Sequence, residues 1–120
     1  MKKKYRVKSE KDFKDAFQNG PYYANRQLVL YLYPKIGQVH FRVGLSVGKK
    51  MGNAVQRNKI KRLLRHAIHE LSPAINNEYD YLIIARKDIV NRNFYEIKKS
   101  LVHVMKIASI IDIKKLEELQ

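Results

Sequence analysis

Positive charge is concentrated in one short stretch of the chain, GKKMGNAVQRNKIKRLLRHA, which runs from residue 48 to residue 67. The stretch holds seven lysines or arginines, two asparagines and no acid. Guanidinium and ammonium groups bind phosphate oxygens, and the stretch lacks the carboxylates that would hold a catalytic metal. The chemistry that these residues offer is recognition of a polyanion.

The apolar residues of this region recur with the period of a helix. At about 100° per residue, the apolar residues from Ile60 to Leu71 fall in one arc, which predicts a helix with one buried side. Arg57, Lys61 and Arg65 stack at i, i+4 and i+8, where each like-charge pair costs about a few tenths of a kcal/mol. A solvated face usually mixes signs, so a binding face explains the pattern better than solvation does. The polar side comprises Arg57, Asn58, Lys59, Lys61, Arg62, Arg65, His66 and His69.

The residues before this helix have the outline of a phosphate site. Asn53 is a good N-cap, with Gln56 three residues further on. Lys49 and Lys50 stand just before the N–H groups of the first helical turn, which attract anions. The order of residues is not that of a Walker loop, and Asn53 is expected to cap the helix whether or not it also binds a ligand.

The excess of positive charge extends beyond the helix. The 120 residues include 25 basic and 11 acidic side chains, a net charge of +14, and no acid occurs between Asp15 and Glu70. Apolar residues make up 45% of the chain, so it should fold as one domain. The absence of cysteine excludes disulfides and thiol-based sites. We find neither a membrane-length apolar run nor a secretory signal, and we expect a cytoplasmic protein.

The rest of the sequence predicts an α+β fold, a single-domain α/β sandwich with the order α-β-β-α-β-α and room for a short extra strand near Tyr22. We expect a basic arm over residues 1–8 and one domain over residues 9–120. A first helix begins at Ser9 and ends at the NGP of residues 19–21. Strands are predicted over residues 27–34, 38–48 and 79–86, and a last helix runs from about Phe94 to Ala108.

Two details of the predicted sheet follow from local patterns. The segment KIG between the first two strands suits a hairpin turn, which would make those strands antiparallel neighbours. The second strand alternates, so that one set of side chains should share one face of the sheet. That set is Val39, Phe41, Val43, Leu45 and Val47.

The run KKMGNAVQRNKIKRLLR resembles the signature of the bacterial ribonuclease P protein component, KK-x-GNAV-x-RN-x-x-KR-x-x-R. Every position of that signature is matched. The resemblance extends to DF and a later F and G near the N-terminus, and to ANRQ, RVGLSV and YLIIAR, so it spans nearly the whole chain. The matching residues are Lys49, Lys50, Gly52, Asn53, Ala54, Val55, Arg57, Asn58, Lys61, Arg62 and Arg65.

This resemblance implies an RNA-binding subunit of a ribonucleoprotein in which the RNA is the catalyst and the 5′ leader of precursor tRNA is removed. It implies that the motif helix binds the catalytic RNA and joins two parallel strands by a left-handed crossover, against the usual rule. The residues expected to bind the catalytic RNA are Lys49, Lys50, Asn53, Arg57, Asn58, Lys59, Lys61, Arg62 and Arg65.

The resemblance also implies a cleft for the single-stranded leader, between the N-terminal helix and one face of the sheet. Aromatic rings there could stack on any base. Core packing is the competing explanation for Phe13 and Phe17, and Tyr31 and Tyr33 could equally be buried strand residues. The residues expected to line the cleft are Phe13, Phe17, Asn25, Arg26, Tyr31, Tyr33 and Arg42.

The residues that could make the protein itself a nuclease are scattered. No spacing forces carboxylates together, and His66 and His69 at i, i+3 lack a third zinc ligand. We therefore expect no catalytic or metal-binding side chain, and we expect Mg²⁺ on the RNA subunit and the substrate. The expected partners are the catalytic RNA and precursor tRNA, without membrane or DNA. The alternatives are a basic RNA-binding module, such as a ribosomal protein or RNA chaperone, and an autonomous nuclease.

Overall fold

The computed structural model describes residues 20–119. Within that range, four strands form one sheet, and three α-helices and three short 3₁₀ turns complete an α+β domain, as predicted. The short strand near Tyr22 is also confirmed. The predicted basic arm and first helix lie outside the described residues. The elements are β1 (Tyr22–Ala24), β2 (Leu28–Pro34), β3 (Arg42–Ser46), α1 (Ala54–Leu71), β4 (Tyr79–Ala85), α2 (Phe94–Ile107) and α3 (Ile113–Glu118).

The order of strands in the sheet is β1-β2-β4-β3, so the predicted hairpin between β2 and β3 is wrong. Strand β4 lies between them, antiparallel to β2 and parallel to β3. The physical reason is that β4 is buried along most of its length, which suits a central strand. The parallel pair of β3 and β4 needs a long connection, and α1 supplies it. The handedness of this crossover stays a prediction.

Strand β3 is shorter than the sequence pattern suggested. It pairs with β4 only from Arg42 to Ser46, and the chain leaves the sheet on either side. Phe41, Val43 and Val47 are buried, but the side chain of Val39 is 91% exposed, so the predicted common face does not extend back to Val39. Val39 lies three residues before the paired segment, where the sheet no longer fixes which way a side chain points.

One face of the sheet carries the core. Alternate residues of β2 and β4 lie side by side on this face, with Leu30 beside Ile83 and Leu32 beside Tyr81. The apolar sides of α1 and α2 cover them. Tyr31 and the other alternate residues of β2 and β4 are absent from this core, and we call the side of the sheet that they form the distal face. The sheet therefore separates the helical layer from the distal face.

Helix α1 begins at the predicted N-cap. The side-chain oxygen of Asn53 accepts the N–H of Gln56 at 2.9 Å, and the Gln56 side chain accepts the N–H of Asn53 at 2.8 Å. Helix α2 begins with the same arrangement between Asn93 and Glu96. The two reciprocal caps satisfy donors that would otherwise have no partner within each helix, and they fix where each helix starts.

These caps predict a stability loss that can be measured with a matched pair of variants. Replacing Asn53 with Ala should lower the free energy of unfolding by about 1 kcal/mol, and Asn53→Ser should restore most of it, because serine accepts the same hydrogen bond. The same two substitutions at Asn93, which caps α2 in the same way, serve as the control and should give a similar loss and recovery. Urea unfolding measures the free energy of unfolding of each variant. An Asn53→Ala variant as stable as the wild type would contradict the capping role.

Candidate nucleic-acid interface

The predicted RNA-binding residues lie on α1, on its N-cap Asn53 and on the 3₁₀ turn Lys49–Met51 that precedes it. We call the seven cations of this set the basic face. Lys49, Lys50, Lys59 and Arg62 are exposed, as are Asn53 and Asn58 between them. The other three cations are half-buried because they flank the apolar stripe that packs on the core. The basic face comprises Lys49, Lys50, Arg57, Lys59, Lys61, Arg62 and Arg65.

Several carboxylates of the described residues pair with cations elsewhere. Asp80 pairs with Arg42, while Asp88 and Glu96 both pair with Arg92. Within residues 20–119, no ion pair joins a carboxylate to any of six cations of the basic face. Their mutual repulsion is therefore not relieved by the part of the protein that the structure describes. The six are Lys49, Lys50, Arg57, Lys59, Lys61 and Arg62.

Arg57 adds a second sign of a missing partner. Its Nε is buried and has no hydrogen-bond acceptor among the described residues. A buried donor without an acceptor costs about 1–3 kcal/mol, so native proteins rarely keep one without reason. A phosphate oxygen is a strong acceptor for a guanidinium group. Since the Nε itself is buried, a phosphate would reach the Arg57 guanidinium at its outer nitrogens.

The single acid of α1, Glu70, lies at the far end of the helix from Lys49. Its carboxylate accepts a hydrogen bond from the Nζ of Lys98 in α2 at 2.8 Å. Its other oxygen lies 3.1 Å from the Nε2 of His66. The hydrogen bond from Lys98, together with its charge and that of His66, holds the pKa of Glu70 below its usual value. Glu70 is thus compensated by Lys98 from the neighbouring helix, and in the described part of the chain it forms no ion pair with the six cations named above.

The entrance to α1 is shaped by its cap. Gly52 has a φ of 124°, and a Cβ there would lie 2.0 Å from the Gln56 side chain that folds back over it. Glycine is therefore needed for the cap itself. The side-chain oxygen of Asn53 is likewise engaged with Gln56. Both residues have a structural role, and an RNA contact by Asn53 stays a prediction.

The distal face carries a strip of tyrosines. Tyr31 and Tyr33 lie on it, as the alternation of β2 predicted, and Tyr33 is exposed. Tyr22 lies opposite Tyr31 in the register of β1 and β2, with ring centroids 5.4 Å apart, and is 63% exposed. Tyr22 was not among the predicted leader-binding residues, although its place in the short first strand was a signal. These rings offer a surface on which bases could stack.

Arg42 lies on the distal face in the same row as Tyr33, with Asp80 of β4 between them. Its Nε donates to Oδ1 of Asp80 at 3.0 Å, and an Nη donates to the other carboxylate oxygen. Asp80 is only 3% exposed, whereas the Arg42 side chain remains partly accessible. The bidentate pair fixes the orientation of the guanidinium group and compensates a buried charge. Its predicted contact with a leader is compatible with this position and stays a prediction.

Asn25 points away from the distal face. Its amide nitrogen donates to the carbonyl and hydroxyl oxygens of Ser100 in α2, at 2.9 and 3.0 Å. Its side-chain oxygen accepts the N–H groups of Gln27 and Leu28. These bonds tie the turn between β1 and β2 to the helical layer. They give Asn25 a structural role, while Arg26 in the same turn is exposed.

Two further observations concern metal ligands and membrane-spanning helices. Among residues 20–119, no three histidine or acidic side chains come together as metal ligands would. The helices in that range are too short or too polar to span a bilayer. The predicted leader-binding residues Phe13 and Phe17 lie outside the described residues.

Comparison with known proteins agrees with this architecture. The family model described as Ribonuclease P matches residues 1–109. The ribonuclease P protein component of Listeria monocytogenes serotype 4a is 53% identical over 111 residues, covering 92% of this chain and 93% of that protein. That of Oceanobacillus iheyensis is 56% identical over 105 residues, covering 88% and 87%. The solved RNase P protein of Staphylococcus aureus superposes with a TM-score of 0.81 at 41% identity, covering 90% of this chain and 98% of that one. The chain belongs to the ribonuclease P protein family.

Proposed function

We propose that the basic face of α1 binds the catalytic RNA of ribonuclease P, and that the distal face of the sheet grips the 5′ leader of precursor tRNA. Family membership makes the chain a ribonuclease P protein component and implies an RNA subunit as its partner. The observation that carries the proposal is that six cations of the basic face, Lys49, Lys50, Arg57, Lys59, Lys61 and Arg62, form no ion pair with a carboxylate within residues 20–119. A folded RNA has the phosphate density to supply it.

The chemistry of the basic face suits RNA backbone rather than base sequence. The deep groove of an A-form helix hides its base edges, so a helix lying on structured RNA contacts phosphates and sugars. Arg57 and Arg62 offer planar forks for phosphate oxygens, while Lys59 and Lys61 act as compact charges. We infer that α1 recognises the shape and charge of the catalytic RNA.

The distal face suits a single strand of varied sequence. Every base has a flat face, so stacking on Tyr22, Tyr31 and Tyr33 would tolerate any leader. Arg42 stands at the same level of the sheet as Tyr33, through its pairing with Asp80, and could contact the leader backbone. The arrangement supports binding of leaders without a strict sequence requirement.

We assign the hydrolytic chemistry to the RNA and its Mg²⁺. Asp88 accepts a hydrogen bond from Gln27 at 2.6 Å and pairs with Arg92, and both interactions lower its pKa. Glu70 and Asp80 are similarly engaged with cations. These carboxylates hold the fold together. The protein's contribution is charge neutralisation and grip on the substrate, with Mg²⁺ held by the RNA subunit and the substrate.

Reconstitution tests the proposal directly. The wild-type protein should stimulate leader removal by a cognate catalytic RNA at low Mg²⁺. A Lys59→Ala/Lys61→Ala/Arg62→Ala variant should bind that RNA about ten- to a hundredfold more weakly, because three phosphate contacts are lost. Filter binding and leader cleavage are the measurements.

A control with the same charge change is Lys106→Ala/Lys114→Ala/Lys115→Ala, on α2 and α3. This variant should bind nearly as the wild type does, and circular dichroism should show both variants folded. Equal weakening by the two triple variants would indicate a nonspecific basic protein, the alternative function. Cleavage by the protein without RNA would favour an autonomous nuclease.

Leader recognition is tested by comparing how tightly the holoenzyme binds precursor tRNA and mature tRNA. Tyr31→Ala should weaken binding of precursor tRNA about tenfold, because one stacked base is lost, and leave mature tRNA binding unchanged. Tyr31→Phe keeps the ring and should behave as the wild type. Equal losses of affinity for precursor tRNA and mature tRNA would count against a leader site on the distal face.

A further inference from the structure

We propose that the RNA interface extends from α1 onto the start of α2, where His66, Phe94 and Tyr95 form a ledge on which one unpaired base of the catalytic RNA stacks. We call these three side chains the aromatic ledge. The inference rests on the proposed binding of the catalytic RNA by the basic face. It adds a base contact to an interface otherwise made of phosphate contacts.

The geometry of the ledge is that of a small stack. The rings of His66 and Phe94 lie face to face, with centroids 4.3 Å apart and planes inclined by 27°. The ring of Tyr95 meets Phe94 edge-on, with centroids 5.7 Å apart and planes inclined by 72°. Phe94 packs partly against the core, which makes the ledge rigid. The ring of Tyr95 is 79% exposed, so it contributes little to the core and is free to meet a ligand.

The ledge continues the basic face. His66 lies one turn beyond Arg62 on α1, about 6 Å along the helix axis. On the other side of the ledge, Lys99 follows Tyr95 by one turn of α2 and is exposed. A nucleotide whose phosphate contacts Arg62 would therefore lie within one helical turn of His66, the ring of the ledge that belongs to α1. Cations on both flanks complement a charged backbone, and an aromatic ring between them complements a base.

The same surroundings argue for RNA as the occupant. Sites for apolar protein partners are patches of several contiguous apolar side chains. Exposed cations stand one helical turn from the ledge on each helix, since Arg62 precedes His66 by four residues and Lys99 follows Tyr95 by four. Glu70, the acid that contacts His66, is itself paired with Lys98. An exposed aromatic ring with cations one turn away matches the pattern of single-strand nucleic-acid sites.

The position of the ledge identifies which RNA it meets. His66 and Phe94 belong to α1 and α2, which cover the core face of the sheet, while Tyr22 and Tyr31 lie on the distal face. A leader held on the distal face would lie on the other side of the sheet. The ledge should therefore bind the catalytic RNA and be indifferent to the leader.

The absence of tryptophan from the sequence allows a clean optical test. Tyr95→Trp introduces a single fluorophore on the ledge, and Tyr22→Trp introduces a matched one on the distal face. Catalytic RNA alone should quench Tyr95→Trp as a stacked base approaches, and should leave Tyr22→Trp unchanged until precursor tRNA is added. Unchanged Tyr95→Trp emission at saturating catalytic RNA would overturn the proposal.

Affinity provides the second readout. Tyr95→Ala should weaken catalytic RNA binding about fivefold to fiftyfold, and Tyr95→Phe should bind as the wild type does. Precursor and mature tRNA should be affected alike once the holoenzyme forms. Normal binding by Tyr95→Ala, alongside weak binding by the Lys59→Ala/Lys61→Ala/Arg62→Ala variant, would overturn the ledge alone. Normal binding by both would also overturn the proposed function.

Discussion

The fold must stabilise a helix, α1, whose outer side carries positive charges that repel one another. Lys59, Lys61 and Arg62 crowd one side of α1 with no carboxylate beside them in the described structure. Burial of Leu64 and Ile68 against the sheet and the reciprocal cap at Asn53 stabilise the helix against that repulsion. The repulsion among these cations therefore lowers the stability of the folded protein. A polyanionic partner that removes the repulsion on binding explains why the protein keeps it.

The sheet separates the surface formed by the helices from the distal face. Alternation along β2 and β4 sends Leu30 and Ile83 into the core beneath the helices, and sends Tyr31 to the opposite side. The core therefore supports α1 on one side of the sheet, while Tyr22 and Tyr33 are exposed on the other. This division would allow one small domain to contact the catalytic RNA and precursor tRNA at the same time, as we propose.

Local patterns predicted the parts of this structure that local physics decides. The start of α1 at Asn53 and its buried stripe were predictable because a cap and a 3.6-residue period lie within a few turns of chain. The pairing of β3 with β4 was not, because it depends on which distant strand is apolar enough to be central. The inward turn of Asn25 depends equally on Ser100, which is 75 residues away. The neighbours of Tyr22 and Tyr95 emerge only when the chain is folded.

The salt dependence of binding to the catalytic RNA tests the central claim most directly. If α1 and the turn before it place about five to seven cations on phosphates, the logarithm of the association constant should fall against the logarithm of salt concentration with a slope of about −4 to −6. The Lys59→Ala/Lys61→Ala/Arg62→Ala variant should show a slope about two to three units shallower. A wild-type slope between zero and about −1 would mean that phosphates do not supply the missing counter-charge, and would contradict the account.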